Sequence, residues 1–178
     1  MTATTTRRRG ALRATLALLS IFGFGAIATL ATFTDSGAQP VSFSTGNVDI
    51  KFDAANAEDP TALVGLALTN AKPGDSKTQA ILVKNAGTLG FGYTISYTAG
   101  ANYDAGLAGA LTVNITQGAT TVYNGTLAGL VATPTAVRSL AVAGSESLSF
   151  VVTLPSSAGN SVAGKTANGS FVFTATQS

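Results

Sequence analysis

The stretch "FGYTISYT", residues 91–98, alternates large apolar residues with small or polar ones without a break. Its apolar members share one phase of a two-residue repeat: Phe91, Tyr93, Ile95 and Tyr97. Successive side chains of a β-strand point to opposite faces, so this pattern predicts a strand with one face in a core and one in water.

The same repeat recurs along the chain, and it determines the predicted fold class. Its other occurrences are Val48, Ile50 and Phe52; Leu111, Val113 and Ile115; Leu148, Phe150, Val152 and Leu154; and Phe171, Phe173 and Ala175. Turns are predicted at "KPGDS" (72–76), at "NAG" (85–87) and at the Asn-Gly pairs that begin at positions 124 and 168. Residues 156–167 fit neither pattern and are predicted to be a loop or a short helical turn. Because no sustained helical period appears, we expect an all-β fold, an antiparallel sandwich over residues 46–178.

Composition limits the possible functions. The chain has 178 residues, of which 46% are apolar and 10% charged, and it contains no His and no Cys. This is enough apolar sequence for one cored domain without disulfides. Four of the ten basic residues are arginines in the first thirteen positions, which leaves six basic against eight acidic residues. The remainder has no basic stripe, so we expect no nucleic-acid partner.

Residues 1–31 have the organisation of a cleavable signal peptide. Arginines at 7–13 precede the apolar run "ATLALLSIFGFGAIATLA", which ends in small residues. Cleavage after Ala31, or after Ala28, is compatible with these small residues. The rival interpretation is an uncleaved membrane anchor, because the run approaches the length of about 18–20 residues that spans a bilayer. The glycines within the run favour cleavage.

Three blocks of the chain resemble the TasA/camelysin family of secreted bacterial proteins. They are "TFTDSGAQPVSFSTGNVDIKFD", "LTNAKPGDSKTQAILVKNAGTLGFGYTIS" and "LPSSAGNSVAGKTANGSFVFTATQS". The family pattern of a small residue, a cut, an aromatic residue and an acid matches Ala31, Phe33 and Asp35, which places the mature terminus at Thr32. Later matches are Phe43, Gly46 and Asp49; the turn Lys72 to Asp75; and Asn85 with Gly87. The chain departs from the family at Val162 and Ala163, where Tyr-Gln is common.

The resemblance implies a jelly-roll-like β-sandwich that is secreted to the cell surface or extracellular matrix after a signal peptidase acts. It also implies a structural subunit of fibres, in which residues 32–45 form an arm that adds as a strand to a neighbouring copy. Phe33 would be the apolar anchor of this arm, Asp35 would begin its polar crossing, and Val41 and Phe43 would begin the pairing pattern. Two alternatives remain open: the arm is the first strand of its own domain, or it is disordered.

An enzymatic function is not expected. Camelysin-like relatives are described as metalloproteases, but a catalytic zinc ordinarily needs about three protein ligands, usually including His. The chain has no His or Cys, and its only glutamates, Glu58 and Glu146, form no helical pair. Asp49 and Asp53 are better interpreted as the solvated face of a strand. No cofactor is therefore expected, and the membrane is a partner only through the uncleaved signal peptide.

The remaining alternative is a monomeric surface-binding module for carbohydrate or a wall partner. Four tyrosines are available for stacking on sugars: Tyr93, Tyr97, Tyr103 and Tyr123. Tyr93 and Tyr97 share the phase of the apolar residues around them, so a core position is favoured for both. The acidic residues lack the close alternating spacing of a calcium loop.

Overall fold

The computed structural model describes Ser42 and residues 44–177. Its strands are β1 (Ile50–Phe52), β2 (Ser76–Asn85), β3 (Phe91–Tyr103), β4 (Thr112–Gln117), β5 (Thr120–Thr126), β6 (Arg138–Leu140), β7 (Ser145–Thr153) and β8 (Ala167–Gln177). Two short α-helices, α1 (Ala105–Ala110) and α2 (Leu127–Ala132), lie between strands, together with 3-10 turns at Thr61–Leu66 and Asn160–Val162. The all-β prediction is confirmed.

The strands form two antiparallel sheets. The larger has the order β1-β2-β7-β4-β5, and the smaller has the order β6-β3-β8. All strand pairs are antiparallel. The two sheets face each other across one hydrophobic core, in which the side chains predicted from the two-residue repeat are fully buried: Phe91, Tyr93 and Ile95 from β3, Val113 and Ile115 from β4, and Leu148 and Phe150 from β7. The sequence therefore predicted the phase of these strands correctly.

Two turn predictions were wrong. Asn124-Gly125 lies inside β5, opposite Asn114 and Val113, and Asn168-Gly169 lies inside β8. The chain reverses between β4 and β5 at Gly118, which has a φ of 53° that glycine adopts without a steric cost. By contrast, "KPGDS" forms the predicted turn, with Gly74 at φ 99° and the Asp75 N–H donating to the Lys72 carbonyl over 3.0 Å.

Sequence patterns missed several elements. β2 begins with exposed polar residues and continues into an unbroken apolar run, so it shows no clean alternation. The helices α1 and α2 have only six residues each, too few for a helical period to appear. Within residues 156–167, where a short helical turn or loop was predicted, the structure has the 3-10 turn Asn160–Val162.

Candidate functional site: the open edge of β8

β8 lies at an edge of the smaller sheet and pairs on one side with β3, from Phe91 opposite Gln177 to Ala99 opposite Gly169. Among the described residues, no strand pairs with its other side. Its sequence, "ANGSFVFTATQ", contains neither a charged residue nor a proline. Edge strands that natural proteins protect usually carry such residues or are very short. On its other side, β8 therefore has a long row of backbone hydrogen-bonding groups that no described strand pairs with, and its sequence carries none of these protective residues.

The core is also incompletely covered along β8. Ile95 and Tyr97 on the neighbouring β3 are buried, at 0% and 8% exposure, whereas the residues opposite them on β8, Phe173 and Phe171, are only half-buried. Phe173 contacts Phe52 of β1 edge-to-face, with ring centroids 4.9 Å apart. An additional strand beside β8 would cover apolar surface as well as satisfy backbone groups.

The other sheet edges are protected by features that β8 lacks. At the β1 edge, Lys51 forms ion pairs with Glu58 and, over 3.3 Å, with Asp49. β6 has only three residues. β5 is irregular, because its pairing with β4 shifts register between Ile115 and Thr116, and α2 begins directly after it. Short length, charge and bulges are the devices by which proteins prevent edge-to-edge pairing.

Near the start of the described chain, Asn47 contacts the loop before β3, at the end of the sandwich where β8 finishes. The Asn47 N–H donates to Thr88 Oγ1 over 2.9 Å, and the Asn47 carbonyl accepts from the N–H groups of Thr88 and Leu89. This loop precedes Phe91, whose partner on β8 is Gln177. The predicted cleavage residues Ala31 and Thr32, and the predicted arm residues Phe33, Asp35, Val41 and Phe43, lie outside the described residues.

A buried polar cluster joins the two sheets at this same end. Glu146 of β7 is 8% exposed and lies in phase with core residues of its strand. It accepts hydrogen bonds from the Tyr93 hydroxyl and from both Nε and Nη2 of Arg138, with the Nε contact at 3.1 Å. Arg138 Nη2 also donates to Gln117 Oε1 over 3.0 Å. The cluster is fully hydrogen-bonded, so it is a structural cross-link between the sheets.

The environment of this cluster shifts its pKa values in opposite directions. Burial acts to raise the pKa of Glu146, but the hydrogen bonds from Arg138 and Tyr93 outweigh it, so this pKa lies below its ordinary value. Burial, followed by the hydrogen bond to Glu146, raises the pKa of Tyr93. Glu146 is thus held as a carboxylate and Tyr93 as a neutral donor. Such a pair has no free group with which to act as an acid or base on a substrate.

The tyrosines do not form a sugar-stacking platform. Tyr93 and Tyr97 are buried in the core, as their phase predicted. Tyr103 and Tyr123 are partly buried against it, and the Tyr123 hydroxyl donates to the Thr126 carbonyl over 2.6 Å. In the part of the chain that the structure describes, no helix is both long and apolar enough to cross a membrane.

Fold and site together define a class of protein: an antiparallel β-sandwich with a long edge strand that no other described strand covers. A model of the family described as camelysin metallo-endopeptidase matches residues 8–138. The chain therefore belongs to this family, the TasA/camelysin family. No curated protein matches the chain. Membership of this family supports the interpretation that the protein is secreted and belongs to the cell surface or biofilm.

The family description implies a metal, but the described residues do not fit a metal site. No group of three or more His, Cys, Asp or Glu residues comes together within the described part of the chain. Several of the described carboxylates are already engaged in other contacts. Asp104 caps α1 by accepting from the Leu107 N–H and pairs with Lys165, and Asp53 accepts from the Leu82 N–H. Nor does the sequence contain any His or Cys to complete a zinc site.

Proposed function

We propose that the protein is a secreted structural subunit of cell-surface or biofilm-matrix fibres, which acts by binding further copies of itself rather than by catalysis. The observation that carries this proposal is the open edge of β8. It is long, uncharged and half-exposed on its core side, while the other described edges are protected. An extended segment that adds to such an edge gains both main-chain hydrogen bonds and apolar burial.

The arm, residues 32–45, is the segment that we propose adds to β8 of another copy. Its part after Pro40, residues 41–45, would cover about half of the eleven residues of β8. Val41 and Phe43 alternate with polar residues and would face Phe171 and Phe173 across the core side of the edge. Pro40 has no N–H to donate, so it would mark a limit of the pairing.

The strand order supports this proposal. A jelly roll places its first strand beside its eighth, in a sheet that also contains the third and sixth. Here the smaller sheet is β6-β3-β8, and the first described strand, β1, lies beside β2 in the opposite sheet. We therefore interpret the fold as a jelly roll in which no described strand occupies the position beside β8, and we propose that the arm of another copy fills it.

A non-catalytic function is supported by the side chains themselves. Glu146 is fixed by Arg138 and Tyr93, and Lys51 engages both Asp49 and Glu58. These contacts hold Glu146 and Glu58 against cationic side chains, which disfavours either of them as an acid or base on a substrate. In this proposal the remaining partner is the signal peptidase that releases Thr32, so that the arm becomes free to insert in another subunit.

Negative-stain electron microscopy of two purified forms tests the proposal. One form begins at Thr32, and the other retains residues before Thr32. We expect filaments only from the first form. Phe33→Ala should shorten or abolish them, because it removes the apolar anchor, whereas the matched control Gln39→Ala in the polar part of the arm should leave them unchanged. If the Thr32 form stays monomeric at high concentration, the fibre proposal is wrong.

A further inference from the structure

Two motifs of the resemblance to the TasA/camelysin family contact each other in the structure. One is Gly46 with Asp49, just before β1, and the other is Asn85 with Gly87, where β2 ends. The Ala86 N–H donates to the Asp49 carbonyl over 2.9 Å. This bond continues the pairing of β1 with β2 beyond the ends of the two strands.

Residues 46–49 form what we call the root, and residues 85–89 form the clamp loop. Asn47 of the root is bound to Thr88 of the clamp loop through both backbone and side chain. The Asn47 N–H donates to Thr88 Oγ1 over 2.9 Å, the Thr88 hydroxyl donates to Asn47 Oδ1 over 3.1 Å, and the Thr88 N–H donates to the Asn47 carbonyl over 3.0 Å. Both residues are exposed, so these bonds order a surface segment rather than the core.

The root passes directly over Gly87. A Cβ built on Gly87 would lie 2.5 Å from the Asn47 carbonyl oxygen and 2.8 Å from the Asp49 nitrogen, and both of these are backbone atoms. Gly87 is not among the described glycines with a positive φ. The close approach of the root, rather than an unusual backbone conformation, therefore requires a glycine at this position.

Asn85 fixes the clamp loop to the rest of the sandwich. This side chain is only 3% exposed, although it is polar. Its amide nitrogen donates to the carbonyl of Leu89 over 2.8 Å and to that of Leu140 in β6 over 3.2 Å, and its Oδ1 accepts from the Gly87 N–H over 2.9 Å. A buried and fully hydrogen-bonded amide rigidifies the segments that it joins. The root is therefore held against a loop that is itself fixed.

We propose that the clamp loop fixes the point at which the chain before Ser44 leaves the sandwich, and that Thr88 and Gly87 are positioning residues for fibre assembly. The assembly part rests on the proposed function, whereas the clamping of the root does not. An arm whose root is already fixed loses less conformational freedom when it adds to another copy, so assembly is more favourable.

Electron paramagnetic resonance tests the clamp on the chain that begins at Thr32, below the concentration at which filaments form. The chain has no cysteine, so Ser44→Cys gives a single site for a nitroxide label close to the root. Thr88→Val keeps the shape of the side chain but removes its hydroxyl, and we expect it to increase the mobility of this label at least about twofold. Thr88→Ser, which keeps the hydroxyl, should leave the label as slow as in the unmodified clamp. A label at Val142→Cys, in the exposed turn before β7, should respond to neither change.

Filament formation tests the positioning role. Thr88→Val should raise the critical concentration for filaments at least about fivefold, whereas Thr88→Ser should not. Gly87→Ala should have a larger effect, because its methyl group pushes the backbone of the root aside. The matched control is Gly159→Ala, since nothing lies within 4 Å of the carbon that it adds. Thermal melts show which variants are folded, and the exposed Thr88→Val decides the matter if Gly87→Ala unfolds.

The two proposals fail separately. If the Thr32 form makes filaments but Thr88→Val leaves the label at Ser44→Cys unchanged, the fibre function stands and the clamp is wrong. If Thr88→Val frees the label but leaves the critical concentration unchanged, the positioning role is wrong. If the Thr32 form makes no filaments while Thr88→Val still frees the label, the fibre function is wrong and the clamping of the root stands.

Discussion

Removing the Glu146 carboxylate tests whether the buried cluster holds the two sheets together. Its side chain is 7% exposed and that of Arg138 is 20% exposed, so the Glu146→Leu variant leaves a largely buried guanidinium without its anion. Breaking a buried ion pair in this way costs about 3–5 kcal/mol. For a domain of this size we expect the melting temperature to fall by roughly 6–20 °C.

The double variant Arg138→Met, Glu146→Leu separates the ion pair from the cost of an uncompensated charge. Replacing both partners by apolar residues of similar size is often close to neutral, so the double variant should recover most of the stability that Glu146→Leu loses. Urea denaturation followed by far-ultraviolet circular dichroism measures the cycle, since the chain has no tryptophan. If the double variant is as unstable as the single one, the carboxylate acts through something other than Arg138 and the reasoning is refuted.

Three further measurements check other parts of the structure. Phe150→Ala should cost about 3–5 kcal/mol of unfolding free energy in the same urea assay, because Phe150 is 0% exposed, whereas Val142→Ala at 51% exposure should change it by less than about 0.5 kcal/mol. Because the folded-state pKa of Glu146 is lowered, its stabilising contribution is complete above the unfolded pKa and is lost as pH falls through the folded pKa. The melting temperature of Glu146→Gln should therefore fall less than that of the unmodified protein between about pH 5 and 2. Finally, a chelator should leave the melting temperature unchanged, since the described residues bring no metal-ligating group together; a fall in melting temperature would show a structural metal.

The sequence predicted the strands in which apolar and polar residues alternate regularly. It missed strands, such as β5, whose burial depends on neighbouring strands rather than on their own pattern. Phe91 to Tyr97 alternate because β3 is central in a sheet with one solvated face, and that period is visible in isolation. β5 shows no such signal, since its Asn-Gly pair has the appearance of a turn and its register is broken by a bulge. The roles of such residues depend on which strands flank them, which no local pattern encodes.

The candidate site was predictable only in part. The sequence correctly predicted that Phe171 and Phe173 face the core. It did not predict that β8 is an edge strand, because this follows from the sheet order, which places β8 beside β3 and leaves its other side without a described partner. The buried cluster was missed for a related reason. Glu146 falls in the apolar phase of β7, and an acid at such a position is a signal for a buried partner, but the partner lies on the opposite sheet.

The distribution of charge is the basis on which we propose contact between copies rather than catalysis. Ion pairs form at the β1 edge and in the cluster of Glu146 with Arg138. β8, by contrast, combines an edge that pairs with no described strand, half-buried phenylalanines and no charge, and such an edge is prone to aggregation if it is left uncovered. A single lysine on its outer face would remove that hazard at little cost to the fold. The absence of such a lysine therefore supports an edge that is covered in the folded protein, as our proposal for the arm requires.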